Sequence, residues 1–190
     1  MNLSLTERPI ATIDRAPARD VAELYRLHGQ KVERWAGWLG GPLLDVEDLV
    51  QEVFLTAHRL YPKFRGECQV TTWLYRLTAN VVRHRRRSER FRRWLGGSAE
   101  DVAGHLSTPS RQGPVEDLER KQATLLCYEA LDRLSEKERA LIVLFELEER
   151  TGQEIAALTG RKLATVWVDL HRARKRFSLE LSRLDKGGNT

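Results

Sequence analysis

The chain has 190 residues, with 32 lysines and arginines against 27 aspartates and glutamates, for a formal net charge of +5. This length fits one ordinary domain or two small ones, and the modest positive charge points only weakly to a polyanionic partner. The sequence contains neither an apolar run near the ~18 residues of a membrane span nor a secretory signal, so the expected location is the cytoplasm.

Sequence motifs of common enzymes and metal sites are missing. The two cysteines, Cys68 and Cys127, are far apart and form no redox or zinc-binding spacing. The histidines are scattered, and no P-loop, GxGxxG or GxSxG pattern occurs. We therefore expect no catalytic residues, no metal site and no cofactor.

The N-terminal half of the chain predicts a tail followed by helices. Residues 1–20 show no periodicity and are interpreted as a disordered tail. Apolar residues recur at helical spacing from Val21, which predicts a first helix that ends at Gly40. Asp45 is suited to cap a second helix, which exposes acidic side chains and ends at Pro62.

The third predicted helix is strongly basic at its end. It begins near Thr71, after a glycine-containing loop over 62–71. Seven arginines and one glutamate lie between Arg83 and Arg93, and arginines four residues apart on a helix repel each other. Trp73 begins the same helix, and aromatic rings stack on unpaired bases while arginines hold the backbone. The helix therefore fits DNA that is at least partly single-stranded.

A change of composition divides the chain into two domains. Residues 96–114 are rich in glycine, proline and serine, which predicts a flexible acidic linker that is either a path through a nucleic-acid channel or a soluble tether. The first domain is expected at 21–95 and the second at 115–184, with a tail at 185–190. The predicted fold is all-α, with two small helical bundles joined by the linker.

The second domain contains a helix-turn-helix pattern. S/T-x-x-E capping boxes begin at Ser135 and Thr151. From Thr151 a short helix, a turn at Gly160 and a long basic helix fill 151–177, the pattern of a DNA-reading helix-turn-helix. An ordinary helical hairpin is the alternative interpretation.

Helical geometry divides the last helix into two faces. The apolar stripe contains Leu163, Val166, Leu170, Ala173 and Phe177. The opposite face offers Thr165, Val168, His171 and Arg172 to base edges, and Lys162, Arg174, Lys175 and Arg176 suit phosphates. Trp167 is either a partly buried core residue or a DNA contact. Asp169 either accepts a hydrogen bond from cytosine or pairs with Arg172 or Arg161.

Three motifs follow one another between Asp45 and Arg87: D-x-x-Q-E-x-F, F-R-G-E and T-W-L-Y-R. In this order and spacing they resemble region 2 of the extracytoplasmic-function (ECF) sigma factors. The span 131–177, with LDRLSEKER and L-H-R-A-R, resembles region 4 of the same family. Together the two resemblances cover about 21–93 and 115–184.

The resemblance implies a non-enzymatic role, in which the chain binds core RNA polymerase and directs promoter-specific initiation. Docking on the polymerase clamp helices is implied for Asp48, Gln51, Glu52 and Phe54. Reading and melting of the −10 element is implied for Phe64, Arg65, Trp73, Arg76 and Asn80, to which we add His84 one turn later. Reading of the −35 element is implied for Trp167, Val168, His171 and Arg172, beside Thr165 and Lys175 on the same exposed face.

The partners implied are the clamp helices and flap of core RNA polymerase, duplex and melted promoter DNA, and an anti-sigma factor, a type of protein that is often membrane-bound. Neither a lipid nor a small-molecule substrate is implied, and the holoenzyme is expected to associate with the nucleoid. The family usually has a polar or basic trio where this chain has Trp167, Val168 and Asp169, so the −35 sequence does not carry over from relatives.

Two other functions compete with this interpretation. The function of a stand-alone helix-turn-helix regulator accounts for residues 151–177 but not for the acidic surface of the second helix. A DNA recombinase needs a nucleophilic serine or tyrosine in a catalytic cluster, and Ser88 among arginines is the nearest arrangement.

Overall fold

The computed structural model describes residues 20–95 and 114–187, and every regular element in those ranges is helical, which confirms the all-α prediction. The first module comprises α1 (Val21–Gly40), α2 (Val46–Leu60) and α3 (Val70–Trp94), with a 3-10 turn at Tyr61–Lys63 between α2 and α3. The second module comprises α4 (Pro114–Asp132), α5 (Glu136–Ile142), α6 (Gly152–Thr159) and α7 (Leu163–Gly187), with a π-helical turn at Val143–Leu147 after α5.

The helix ends lie close to the predicted positions. The carboxylate of Asp45 accepts a hydrogen bond from the backbone N–H of Asp48 at 2.9 Å and so caps α2. Both predicted capping boxes are formed, at Ser135 and Thr151. Helix α7 continues to Gly187, beyond the predicted domain end at 184. The predicted tail up to residue 19 and the predicted linker over 96–113 lie outside the described residues.

The core of the first module is formed where the three helices cross. Leu24, Val53 and Leu74, one from each helix, are fully buried. The rings of Trp35 and Tyr75 meet edge to face, with centroids 5.4 Å apart. This packing fixes the rotation of α3, and therefore decides which of its side chains are exposed.

The core of the second module surrounds the end of α5. The run from Leu141 to Leu144 is buried on all sides, as its continuous apolar sequence predicts. Val166 and Leu170 of the predicted stripe on α7 are buried against it. Leu163 was predicted in the same stripe, but it is 38% exposed because it is the first residue of α7 and lies at the edge of the module.

The two modules pack directly against each other. Their buried residues form one continuous apolar cluster. Trp38 on α1 contacts Tyr128 on α4, with ring centroids 5.0 Å apart, and Arg34 on α1 pairs with Glu148 at 3.1 Å. No helix in the described ranges is long and apolar enough to cross a membrane.

Two arginines converge at the C-terminal end of α1. Arg86 from α3 donates to the carbonyl oxygen of Gly40 at 2.7 Å, and Arg139 from α5 donates to that of Leu39 at 3.4 Å. Both guanidinium groups also pair with Asp132, at 3.0 Å for Arg86 and 3.4 Å for Arg139. Burial and then the charge of Arg86 lower the pKa of Arg139 to about 10, so this side chain stays protonated at neutral pH.

The capping box at the start of α6 gives a first prediction. The Thr151 hydroxyl accepts from the N–H of Glu154 at 3.2 Å, and the Glu154 carboxylate accepts from the N–H of Thr151 at 2.8 Å. Thr151→Ala should lower the free energy of unfolding by about 1 kcal/mol, measured by urea denaturation. Thr151→Ser keeps the hydroxyl and is the control. Equal stability of the alanine and serine variants would contradict the role of the cap.

The same cap makes a pH-dependent contribution to stability. Burial raises the pKa of Glu154, but hydrogen bonds from Thr151 and the charge of Arg150 outweigh it, so the pKa lies below its ordinary value of 4.5. A lowered folded-state pKa contributes stability that is present above the unfolded pKa and lost as pH falls through the folded pKa. Stability should therefore decline less on acidification below about pH 4.5 in Thr151→Ala than in the wild type.

Candidate functional site

The acidic side of α2 forms one surface of the first module. Asp48 and Gln51 are exposed, and Glu52 is half-buried and forms an ion pair with Arg85 of α3. Leu55, one turn after Gln51, is 58% exposed. These residues border a cleft of about 370 Å³ between α2 and α3. The sequence did not single out Leu55, although its position in the helical period places it beside the acidic residues.

Phe54, which the sequence motif grouped with this surface, points into the module. It is only 7% exposed and its ring meets that of Tyr25 edge to face, with centroids 5.0 Å apart. Its side chain therefore holds α2 against α1 and does not reach a partner in this conformation.

An aromatic cluster marks the start of α3. The rings of Phe64 and Trp73 lie 5.1 Å apart between centroids, and Tyr61 lies 6.0 Å from Phe64 and 5.8 Å from Trp73. Tyr61 was not among the predicted residues, and the only sequence signal for it is an aromatic ring directly before Pro62, where the predicted loop begins. The neighbouring Arg65 is exposed. The cluster offers ring faces and edges to a flat ligand such as a base.

Arg76 donates hydrogen bonds to the second module. Its Nε donates to the carbonyl oxygen of Leu158 at 3.2 Å, and its Nη2 donates to that of Ala157 at 3.0 Å. These carbonyls belong to the last turn of α6, where helix carbonyls lack partners within the helix. Asn80, one turn further along α3, accepts a hydrogen bond from Arg83 at 2.6 Å. Arg76 and Asn80 line a cavity of about 410 Å³ between the modules.

His84 lies apart from this cavity. It borders the cleft of the acidic α2 surface, with Asp48 and Arg85. The residues predicted for the −10 element thus fall into three groups: the aromatic cluster, the residues between the modules, and His84 near α2.

The outward side of α7 carries the residues predicted for the −35 element. All of them are exposed: Thr165, Trp167, Val168, His171, Arg172 and Lys175. The buried residues of α7 lie on the opposite side, so the helix presents a continuous polar and basic face. Such a face at the second helix of a helix-turn-helix has the placement needed to enter a major groove.

Two residues of this helix, Trp167 and Asp169, contact other side chains of the second module. Trp167 is 39% exposed and meets Phe145 edge to face, with ring centroids 5.7 Å apart. Asp169 pairs with Arg161 at 2.6 Å, which is one of the predicted alternatives. In this conformation, the Asp169 carboxylate fixes the turn before α7.

The residues predicted to bind phosphates differ in whether they already pair with an acidic side chain. Arg174 pairs with Glu146 and lies 4.5 Å over the ring of Phe145. Arg176 pairs with Glu138 at 3.5 Å. Lys162 and Lys175 are exposed at either end of the reading face and are the better placed pair for phosphates.

Two sequence families match this chain. The family described as Sigma-70 region 2 matches residues 24–92, within the first module. The family described as Sigma-70, region 4 matches residues 125–177, within the second module.

Three of the curated relatives match over most of their own length. The chain is 30% identical to the ECF RNA polymerase sigma factor SigL of Mycobacterium tuberculosis, over 92% of this chain and 98% of that protein. It is 31% identical to the ECF RNA polymerase sigma-E factor of Haemophilus influenzae, over 74% of this chain and 76% of that protein. It is also 27% identical to the RNA polymerase sigma factor NccH of Alcaligenes xylosoxydans xylosoxydans, over 88% of this chain and 94% of that protein.

Two solved structures share the fold. The sigma factor RpoE of Bartonella quintana, solved with the anti-sigma factor NepR, aligns with a TM-score of 0.62 at 21% identity, over 85% of this chain and 96% of that one. CnrH, solved with the cytosolic domain of CnrY, aligns with a TM-score of 0.58 at 23% identity, over 86% of this chain and 88% of that one.

The packing of the Trp167 indole against Gly152 gives a second prediction. A Cβ atom at Gly152 would lie 2.5 Å from Cζ2 of Trp167, too close for any real contact. Gly152→Ala should therefore displace the indole and lower the free energy of unfolding by about 1–3 kcal/mol. Gly29→Ala is the matched control, because its Cβ would meet only ordinary contacts at 3.7–3.8 Å from Tyr25, and alanine there should stabilise α1.

A double variant tests whether the clash is the cause. Adding Trp167→Ala to Gly152→Ala removes the indole, so the cost of the alanine at 152 should shrink in that background. An unchanged cost would mean that something other than Trp167 is displaced.

Proposed function

Because this chain belongs to the ECF family of RNA polymerase sigma factors, we propose that it binds core RNA polymerase through α2, melts the −10 element with α3 and reads the −35 element with α7. Its role is promoter-specific initiation of transcription, by binding and not by catalysis. The proposed location is the bacterial cytoplasm, with the nucleoid as the site of the assembled holoenzyme.

The observation that carries the proposal is an acidic exposed surface on α2 in a chain of net positive charge. Asp48 and Glu52 would repel DNA, so this surface suits a protein partner with basic residues. We assign it to the clamp helices of the polymerase, with Leu55 as an apolar contact beside the acids. A stand-alone DNA-binding regulator would have no use for such a surface, which disfavours that alternative.

We assign the −10 element to the aromatic cluster and to the residues that follow it on α3. The rings of Phe64 and Trp73 already contact each other, so a base that leaves the duplex would stack against the outer side of this pair. Arg65 in the adjoining loop is exposed and suits the phosphate backbone of the melted strand. Arg76 and Asn80 continue the same helix and are assigned to the neighbouring bases.

We assign the −35 element to the exposed face of α7. His171 and Arg172 can donate hydrogen bonds to base edges, whereas Val168 suits the methyl group of a thymine. Lys162 and Lys175 would position the helix through phosphates. The same module would also contact the polymerase flap, as the family resemblance implies.

An anti-sigma factor is the proposed regulatory partner. The support is that the similar RpoE of Bartonella quintana was solved with the anti-sigma factor NepR. The proposal as a whole is tested by transcription with purified core polymerase on a library of random promoter fragments. Promoter-specific transcripts that depend on this chain are expected, and their absence together with failure to bind core polymerase would exclude a sigma function.

The α2 surface gives a third prediction. Asp48→Lys with Glu52→Lys should abolish binding to core polymerase, because it reverses the charge at the proposed docking surface. Binding is measured by size-exclusion chromatography and folding by circular dichroism. The matched control is Glu33→Lys with Glu67→Lys, which reverses two exposed acids on α1 and in the loop before α3. Similar losses in both double variants would point to overall charge and not to a docking surface.

The reading face of α7 gives a fourth prediction. Arg172→Ala should weaken binding of the holoenzyme by about 1–3 kcal/mol for one base pair of the −35 element, provided that Arg172 contacts guanine. Lys175→Ala is the comparison and should weaken all sequences by a similar factor and reduce the salt dependence. An even loss across sequences for Arg172→Ala would make it a phosphate contact instead.

A further inference from the structure

The cavity between the modules is lined by basic side chains from both of them. Three lie on α3 and three in the second module: Arg76, Arg83, Arg86, Lys137, Arg139 and Arg161. Among the described residues that line the cavity, Glu136 is the only acid. Charges of one sign repel each other more strongly where the surroundings are partly buried, because less water screens them. The cavity is therefore a region of positive potential.

The neighbouring carboxylates offset only part of this charge. Arg86 and Arg139 share the carboxylate of Asp132, at 3.0 Å and 3.4 Å. Burial and then the charge of Arg86 lower the pKa of Arg139 to about 10, and Asp132 raises it by less than Arg86 lowers it. The Nε of Arg86 is also buried and donates to none of the described residues. This pair of arginines thus retains both positive charge and donor capacity.

Two further cations of the cavity have no acidic partner among the described residues. The two hydrogen bonds of the Arg76 guanidinium go to carbonyl oxygens, which carry no formal charge. Lys137 is exposed at the edge of the cavity, and its ammonium group forms no ion pair with any residue in the described ranges. One cation of this kind comes from each module, so a ligand with several negative charges could meet both.

The cavity has the size and the wall of a small-molecule site. Its volume is about 410 Å³, and such sites commonly have roughly 300–1,000 Å³. Part of the wall is apolar and buried, with Val82, Leu141 and Leu158. Arg83 and Lys137, by contrast, are exposed. An aromatic ring would fit against the apolar wall, while anionic groups would remain near the exposed cations.

Phosphate groups suit this set of donors best. The planar fork of a guanidinium matches two phosphate oxygens, and a lysine ammonium contacts phosphate as a point charge. A chain of phosphates spreads several charges along its length and can therefore reach cations of both modules. A ring joined to such a chain would also use the apolar wall, which inorganic phosphates would leave uncovered.

We propose that this cavity binds a nucleoside triphosphate, with its base against the apolar wall and its phosphates on cations from both modules. Arg76 and Asn80 line the cavity and are also assigned to the −10 element, but the nucleotide site does not depend on the proposed sigma function. Because the ligand contacts both modules of the folded chain, ATP should raise the melting temperature.

The first test is calorimetric titration of the full chain with ATP at physiological salt. Saturable binding at one site is expected, AMP should bind more weakly, and adenosine should not bind measurably. Inorganic tripolyphosphate should bind about tenfold more weakly than ATP, because it has no ring to bury against the apolar wall. Absence of saturable ATP binding would overturn the proposal.

A pair of double variants tests the cations. Arg83→Ala with Lys137→Ala removes one exposed cation of each module and should weaken ATP binding by about tenfold or more. Arg59→Ala with Lys63→Ala is the matched control, since both residues are exposed and lie outside the lining of this cavity. Equal losses in the two double variants would mean that ATP responds to overall charge, which would refute a defined site.

The apolar wall is tested without any change of charge. Ala79 is a partly buried lining residue, and Ala79→Leu should narrow the space for the base. Its affinity for ATP should fall while its affinity for tripolyphosphate stays the same, with circular dichroism to verify the helical fold. Tripolyphosphate that binds as tightly as ATP, together with an unchanged ATP affinity in Ala79→Leu, would overturn the assignment to a nucleotide.

Discussion

The relative position of the two modules depends on one junction of charged side chains and backbone carbonyls at the end of α1. Arg86 donates to the carbonyl oxygen of Gly40 and Arg139 to that of Leu39, and Asp132 is the carboxylate that pairs with both arginines. Arg139 is only 4% exposed, so its charge would be costly to bury without these acceptors. Because the junction joins α1, α3, α4 and α5, it couples the placement of the α3 face to the placement of the helix-turn-helix.

The charge of the chain is unevenly distributed over its helices. Acidic residues lie on α2, and basic residues lie on α3 and on the exposed side of α7. The Glu52–Arg85 ion pair connects the acidic surface to the basic helix within the first module. Arg85 therefore positions a proposed docking residue, although the composition alone would group it with the DNA-binding arginines. Arg174 and Arg176 are similar cases in the second module, since both pair with acids of their own module.

Arg76 has two roles that cannot be fulfilled at once. It donates to two carbonyl oxygens in the last turn of α6, whereas the proposed −10 role requires its guanidinium to meet DNA. The same guanidinium geometry suits both tasks, because a planar fork of donors fits paired carbonyls as well as the edge of a base.

Much of the architecture follows from the sequence alone. Helix ends depend on local chemistry, such as the Asp45 cap and the capping boxes at Ser135 and Thr151, and local chemistry is readable from neighbouring residues. The period of apolar residues likewise predicted the buried side of α7. The exceptions are Leu163, exposed at the edge of its module, and Phe54, which the motif grouped with a surface although it packs against Tyr25.

What only the tertiary structure decided is the set of contacts between segments distant in sequence. The sequence by itself determined the helices, the helix-turn-helix and the motifs of the sigma family. It could not show that Tyr61 completes the aromatic cluster, that Asp169 pairs with Arg161, or that Arg76 reaches α6. The physical reason is that a helix period fixes which side chains share a face. Which element that face contacts depends on how whole modules pack. Those contacts are made by backbone carbonyls and charged side chains, and the sequence pattern does not tell which of them meet.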